Sequence, residues 1–299
     1  MSEAPLLDQS VAPIVWGVLF SSVAGTVLVA VGYRRLREWG VTATNVEGRS
    51  IVTAMGAPIV LAALIAGILA WPFEFVAEGI YSGTMHGILL LLMALGGLLD
   101  DLFPEVRPVK GFAGHFGALF ARGRLTRGAQ KAILGGIAAL WAGWFLSRGH
   151  WPVAILNGLI IALSASSLNL LDVRPGRAVK YWCIAVTIPL LVPASLPLVL
   201  PLMVAVLIYA PIDFGRKAML GDTGALALGA SAGFTWCMIL PESPLGMTAR
   251  WIILGGLVTM NLYAELGSIS KVITQCPVLE YLDNLWTGPL RTRLGGRIR

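Results

Sequence analysis

Long apolar runs broken by short polar loops set the pattern of this chain from about residue 11 to residue 268. A helix needs about 20 consecutive apolar residues to cross a bilayer, and stretches near that length recur along the sequence. The pattern predicts spanning helices over about 11–32, 52–71, 83–99, 131–147, 152–170, 178–194, 196–212, 224–240 and 250–268. Pro189, Pro193, Pro197 and Pro201 punctuate 178–212, so this stretch is divided into two helices. One helix there would be too long and repeatedly kinked. A membrane barrel would show short alternating segments instead. The predicted fold is therefore all-α, a polytopic integral membrane protein with about nine transmembrane helices.

Composition supports this class. Hydrophobic residues make up 57% of the chain and charged residues 13%, against roughly 25% charged in soluble domains. Residues 1–268 read as one transmembrane domain and 269–299 as a basic tail that touches anionic lipid. The N-terminus lacks a basic n-region, so the first apolar segment is expected to be retained as a helix. With that terminus outside, nine spans place 20 of the 22 Lys and Arg residues on the inner side, leaving only Arg148 and Arg250 outside. This is the positive-inside distribution. The net charge of +6 consequently belongs to membrane loops, and nucleic acid is not an expected partner. Cys183, Cys237 and Cys276 have no CxxC spacing, so neither a disulfide nor a zinc site is expected. His86, His115 and His150 form no metal-binding pattern.

Three loops on the predicted inner side carry carboxylates. In GGLLDDLFPEVRPVK (96–110) an apolar run ends in Asp100 and Asp101, and Lys110 follows in a Pro-broken loop. Two acidic residues at a helix C-terminus are either solvated caps or, because they oppose the macrodipole, partners of a cation. A basic cluster of Arg122, Arg124, Arg127 and Lys131 follows. Asn169 and Asp172 stand three apart and would share a face if the helix continued through them. Arg174 and Arg177 flank the turn behind them, either as a plain cytoplasmic turn or as two guanidiniums suited to phosphate. In LGDTG (220–224), Asp222 lies between glycines at the start of a small-residue helix, with Asp213, Arg216 and Lys217 nearby. The segment NVEGRSIVTAMG (45–56) leads through Arg49 into another helix start, where phosphate is attracted. Asn157, inside a spanning segment, is either an interhelical hydrogen bond or a functional amide. Gly135, Gly136 and Gly158 are expected at close helix contacts.

The order GGLLDD, Lys110-Gly111, NLLD and LGDTGALALG, over roughly residues 45–230, resembles the polyprenyl-phosphate N-acetylhexosamine-1-phosphate transferase superfamily (glycosyltransferase family 4). Its members include phospho-MurNAc-pentapeptide translocase and GlcNAc-1-phosphate transferases. The resemblance implies transfer of a sugar-1-phosphate from a UDP-sugar to undecaprenyl phosphate, with Mg²⁺ as cofactor and UMP released. It implies a multi-pass protein of the bacterial cytoplasmic membrane, serving cell-envelope synthesis and compatible with a homodimer. By motif, Asp100, Asp101 and Asp222 would be catalytic, and Asp101 and Asp222 would hold the metal. Asn169, Asp172, Lys110, Arg49, Arg174, Arg177 and Lys217 would bind substrate.

The sequence departs from that family in definite places. No histidine follows His150, so the family's late His-rich loop is missing, as is a tenth helix. Ile212 and Gly215-Arg216 replace its Asn and Pro-Ala positions, and Met219 stands where an aromatic is expected. The metal and phosphate half of the pattern is retained, and the nucleotide-sugar half is eroded. A prenyl-phosphate-binding scaffold is therefore the competing expectation. A transporter would carry ionisable residues in mid-helix, and here charges are expected only at helix ends.

Overall fold

The computed structural model describes residues 12–45, 47–70, 77–103 and 126–288. It is a helical bundle. Helices α1 (Ala12–Glu38), α2 (Gly56–Ala70), α3 (Ala77–Leu102), α4 (Arg127–Leu146) and α5 (Trp151–Leu171) come first. They are followed by α6 (Arg177–Val186), α7 (Leu196–Phe214), α8 (Gly221–Ile239) and α9 (Pro244–Leu266), then two short helices, α10 (Ile269–Gln275) and α11 (Pro277–Asn284). A small antiparallel hairpin, β1 (Thr42–Thr44) with β2 (Ser50–Val52), links α1 to α2.

Six of the described helical stretches are long and apolar enough to cross a membrane: 14–38, 81–102, 127–146, 151–171, 193–214 and 244–266. The chain is a polytopic α-helical membrane protein. Apolar side chains such as Val23, Ile68, Leu99, Ile137 and Trp251 point outward. In water that surface would be costly, and in lipid it is the expected exterior.

Two of the nine expected spans take another form, and a third, α8, forms as a helix but is not among these six. At 1.5 Å per residue, the 15-residue α2 reaches only ~22 Å. The stretch 178–194 yields the ten-residue α6 followed by two 3₁₀ turns at Pro189–Leu191 and Pro193–Ser195. The prolines end the helix because they lack the N–H that would continue it. Helix α8 is long enough, but its Gly, Ala and Ser residues make it less apolar than its neighbours.

Helix α8 is the axis of the bundle, buried along almost its whole length and packed on α5, α3 and α2. Its small residues let backbones meet closely. A Cβ on Gly229 would stand 2.5 Å from the Ser164 carbonyl oxygen of α5, and one on Gly233 would stand 2.8 Å from Ile161 Cα. Between α4 and α5 the close contact falls on Gly143 and Gly158. Gly136 faces open space and Gly135 meets only the Met93 side chain, so these two do not mediate the packing expected of them.

Polar links cross the interior. His86 of α3 hydrogen-bonds Ser231 of α8 at 2.8 Å. Arg250 lies inside α9, not at a helix end as expected, and its Nε donates to Asn157 Oδ1 of α5 at 3.0 Å. Asn157 is thus an interhelical partner.

Candidate functional site

The site forms where α8 begins, because the sequence lets three segments of the chain approach that point. Gly97 of α3 touches the α8 backbone so closely that a Cβ there would stand 2.3 Å from the Asp222 carbonyl carbon. Gly56 at the start of α2 is closer still, at 2.0 Å from Gly224 Cα. The hairpin joins the same point: Met219 N–H donates to the Val52 carbonyl at 2.9 Å and Gly56 N–H to that of Leu220 at 2.9 Å. Gly221 then turns the chain into α8 with φ of +71°, the left-handed region that favours glycine.

One turn past Gly97, Asp101 meets the first turn of α8. Its carboxylate accepts from the amides of Asp222 at 3.1 Å and Thr223 at 3.0 Å, and from the Thr223 hydroxyl at 2.6 Å. The amides at a helix N-terminus have no partner within the helix, and a negative charge there is favoured by the macrodipole. Asp101 therefore caps α8 from another helix.

Lys131, in the second turn of α4, places its ammonium between Asp100, at 2.7 Å, and Asp222. All three side chains are largely buried. Of the adjacent pair expected to attract a cation, Asp100 thus shares with Asp222 a lysine 31 and 91 residues away in sequence, while Asp101 caps the helix.

Asp172 completes the arrangement. Helix α5 ends at Leu171 and Asp172 is its C-cap, so the shared helical face expected for Asn169 and Asp172 does not extend to it. The Asp172 carboxylate instead accepts the Gly221 amide at 2.8 Å. Burial holds this carboxyl well above the ordinary range, and the neighbouring charges of Asp213, Asp101 and Asp222 add to the rise while the Gly221 amide opposes it.

A cavity of about 470 Å³ opens beside these groups. Asp101, Asp172 and Asp222 line it together with hairpin residues Thr44 and Asn45, with Met219, and with Ser268 and Ser270 from the α9–α10 junction.

The structure does not bring every expected residue here. Asn169 and the exposed Arg49 and Lys217 lie outside the described cavity lining. Lys110 lies outside the described residues, as do His115, Arg122 and Arg124. Arg174 and Arg177 are a correction: they are buried and paired with Asp283 at the end of α11, not open to a phosphate. Arg177 reaches Asp283 Oδ1 at 2.9 Å and Ser270 at 2.8 Å. This cluster docks 269–288, the described part of the expected basic tail, onto the bundle. Burial acts to raise the Asp283 carboxyl, but hydrogen bonds and charge from Arg177 and Arg174 outweigh it and hold the carboxyl below its ordinary value.

Sequence reasoning placed Lys131 in a basic cluster without singling it out, and gave no weight to Asn45 or Asp283. Lys131 had a signal, since it opens a helix at the same boundary as the acidic residues.

Among the described residues, no group of three or more His, Cys, Asp or Glu side chains is arranged to hold a metal. Mg²⁺ does not require such a cage, because it is commonly held by one or two carboxylates together with waters and substrate phosphates. Asp101 and Asp222 on one cavity wall fit that donor set. No protein-family model matches this sequence, and no curated protein matches it.

Proposed function

We propose that the protein transfers a sugar-1-phosphate, of the N-acetylhexosamine type, from a UDP-sugar to undecaprenyl phosphate at the cytoplasmic face of a bacterial inner membrane. The observation that carries this is the convergence of Asp100, Asp101, Asp172 and Asp222 from three helix ends at the α8 N-terminus, beside Lys131. In the reaction, a lipid phosphate oxygen forms a bond to the sugar-bearing phosphorus. The diphosphate bond breaks, and UMP leaves with the electron pair. Several negative charges meet in this step, so cationic groups must balance them. Lys131 is placed to supply one such charge at Asp100 and Asp222. Bound Mg²⁺, held by Asp101 and Asp222, would supply further charge neutralisation. Asp100 would orient the lipid phosphate. An orientation with the N-terminus outside and the site end in the cytoplasm is the one that the Lys and Arg distribution favours. The product would feed envelope polysaccharide or peptidoglycan-type synthesis.

A second reading is a prenyl-phosphate-binding scaffold without turnover. It is favoured by the use of Arg174 and Arg177 in holding Asp283. The test is UMP release by purified protein given undecaprenyl phosphate, Mg²⁺ and a panel of UDP-sugars. Release that depends on metal and is lost in Asp100→Asn and Asp222→Asn supports the transferase. No release with any donor, while prenyl phosphate still raises the melting temperature, overturns it in favour of the scaffold.

A further inference from the structure

The hairpin loop holds an amide whose nitrogen has no hydrogen-bond partner among the described residues. Asn45 is buried, at 5% exposure. Its Oδ1 accepts the backbone N–H groups of Glu47 at 3.0 Å and Arg49 at 2.9 Å. Those two donors identify that atom as the oxygen, since an amide nitrogen could not accept them. The other atom is therefore Nδ2, a donor, and among the described residues it has no hydrogen-bond partner. A buried donor without a partner costs about 1–3 kcal/mol. Asn45 also lines the cavity that Asp101, Asp172 and Asp222 line.

The cavity walls differ in chemistry. The α8 side carries the carboxylates. The hairpin and the α9–α10 junction present neutral groups: Thr44, Asn45, Ser268 and Ser270. Ser268 makes no capping bond at the start of α10, and Ser270 accepts from Arg177, which leaves its own hydroxyl hydrogen to donate. Neutral donors and acceptors around a pocket suit a ligand rich in hydroxyl and carbonyl oxygens, without its own charge at that end.

We infer that Asn45 is a specificity-determining residue for the sugar of the nucleotide-sugar donor, its Nδ2 donating to a sugar oxygen on the neutral wall of the cavity. This rests on the proposed donor class, and it deepens that proposal by assigning the sugar end of the site. The phosphates then lie toward Lys131 and the carboxylate wall. A site built to hydrogen-bond a particular oxygen rejects analogues that lack it, so Asn45 contributes to choosing among sugars.

The experiment measures binding without turnover. Wild type, Asn45→Ser and Asn45→Asp are titrated in detergent with UDP and with UDP-N-acetylglucosamine, UDP-N-acetylgalactosamine and UDP-glucose, with UMP release assayed in parallel. Asn45→Asp keeps both oxygen contacts of the turn and removes the donor. Asn45→Ser removes it without adding charge, and its hydroxyl can still accept in the turn. Wild type is expected to bind at least one UDP-sugar more tightly than UDP. In Asn45→Ser that preference falls about tenfold, with UDP affinity little changed and both variants melting near wild type. Equal losses for UDP and the UDP-sugar, an unchanged preference, or no wild-type preference would each overturn the assignment. Sugar-selective binding without UMP release would leave it standing and remove the transferase reading alone.

Discussion

Asp101 of α3 and Arg250 of α9 hold opposite ends of the same helix. The carboxylate accepts the first amides of α8, and the guanidinium donates to the carbonyls of Cys237 at 3.0 Å and Leu240 at 2.8 Å where α8 ends. Helix termini expose unpaired amides at one end and unpaired carbonyls at the other, and in a bilayer interior water is not there to satisfy them. Each charge also has the sign that the macrodipole favours at its end. Because α8 runs through the centre of the bundle, these two contacts fix its ends against α3 and α9. Arg250→Met is expected to destabilise the protein by about 3 kcal/mol, since it leaves buried carbonyls and Asn157 without a donor. Thermal unfolding in detergent checks this, and a melting temperature equal to wild type would show that the contacts carry no weight.

The approach of α3 to α8 depends on one glycine of a pair. A Cβ at Gly97 would collide with the Asp222 backbone, whereas one at Gly96 meets nothing within 4 Å. Gly96→Ala should therefore be neutral or stabilise by up to about 1 kcal/mol through helix propensity. Gly97→Ala should cost several times as much and abolish activity, because it pushes Asp101 off its amides. Equal melting temperatures for the two variants would sink the idea.

Lys131 sits where a cation is wanted. In Lys131→Met, Asp100 and Asp222 lose the ammonium they share, and two close carboxylates repel each other. The variant is expected to lose at least about 100-fold in turnover, by analogy with loss of one charge-stabilising group. It should also gain more thermal stability from added Mg²⁺ than wild type gains. A thermal-shift titration with MgCl₂ on both proteins decides this, and equal shifts would mean the carboxylates do not act as a pair.

Asp172 separates stability from function. A carboxyl whose folded-state pKa lies above its unfolded value weakens the fold once it ionises, so its cost grows as pH rises through that interval. Asparagine keeps an oxygen for the Gly221 amide and removes the repulsion from Asp213, Asp101 and Asp222. Asp172→Asn should melt at or above the wild-type temperature, with the gain larger at pH 8 than at pH 5, while UMP release falls sharply. A variant less stable than wild type at pH 8 would contradict this.

The cluster around Asp283 has the opposite sign. Its carboxyl is held below the ordinary value, so its contribution is fully present above the unfolded pKa of about 3.9 and is lost as pH falls through the lower folded value. Limited proteolysis should leave 269–288 protected from pH 8 down to about pH 5. Asp283→Asn should expose the segment even at neutral pH, because Arg174 and Arg177 are left buried without a full counter-charge. Protection unchanged in that variant would show that the segment docks by other contacts.

The membrane class, most of the helices and the loops that carry Asp100, Asp101, Asp172 and Asp222 were legible in the sequence. The reason is that lipid imposes a local demand, a sustained apolar run ended by polar residues, which composition alone reveals. The same signal is weaker at α8 and overran the helix at α6. Helix α8 is surrounded by protein and so needs small residues more than apolar ones, and α6 is cut short where prolines begin. What each polar group meets was decided only by the tertiary structure. Asp101 caps a helix 121 residues away, and Lys131 reaches Asp222 across 91. Arg174 and Arg177 turn from the site to Asp283, 109 and 106 residues on, and Asn45 lines a cavity with Asp222 that no local spacing encodes. Such pairings depend on which backbones can approach one another. Here Gly56, Gly97 and Gly224 permit that approach, and their meaning appears only once the helices are packed.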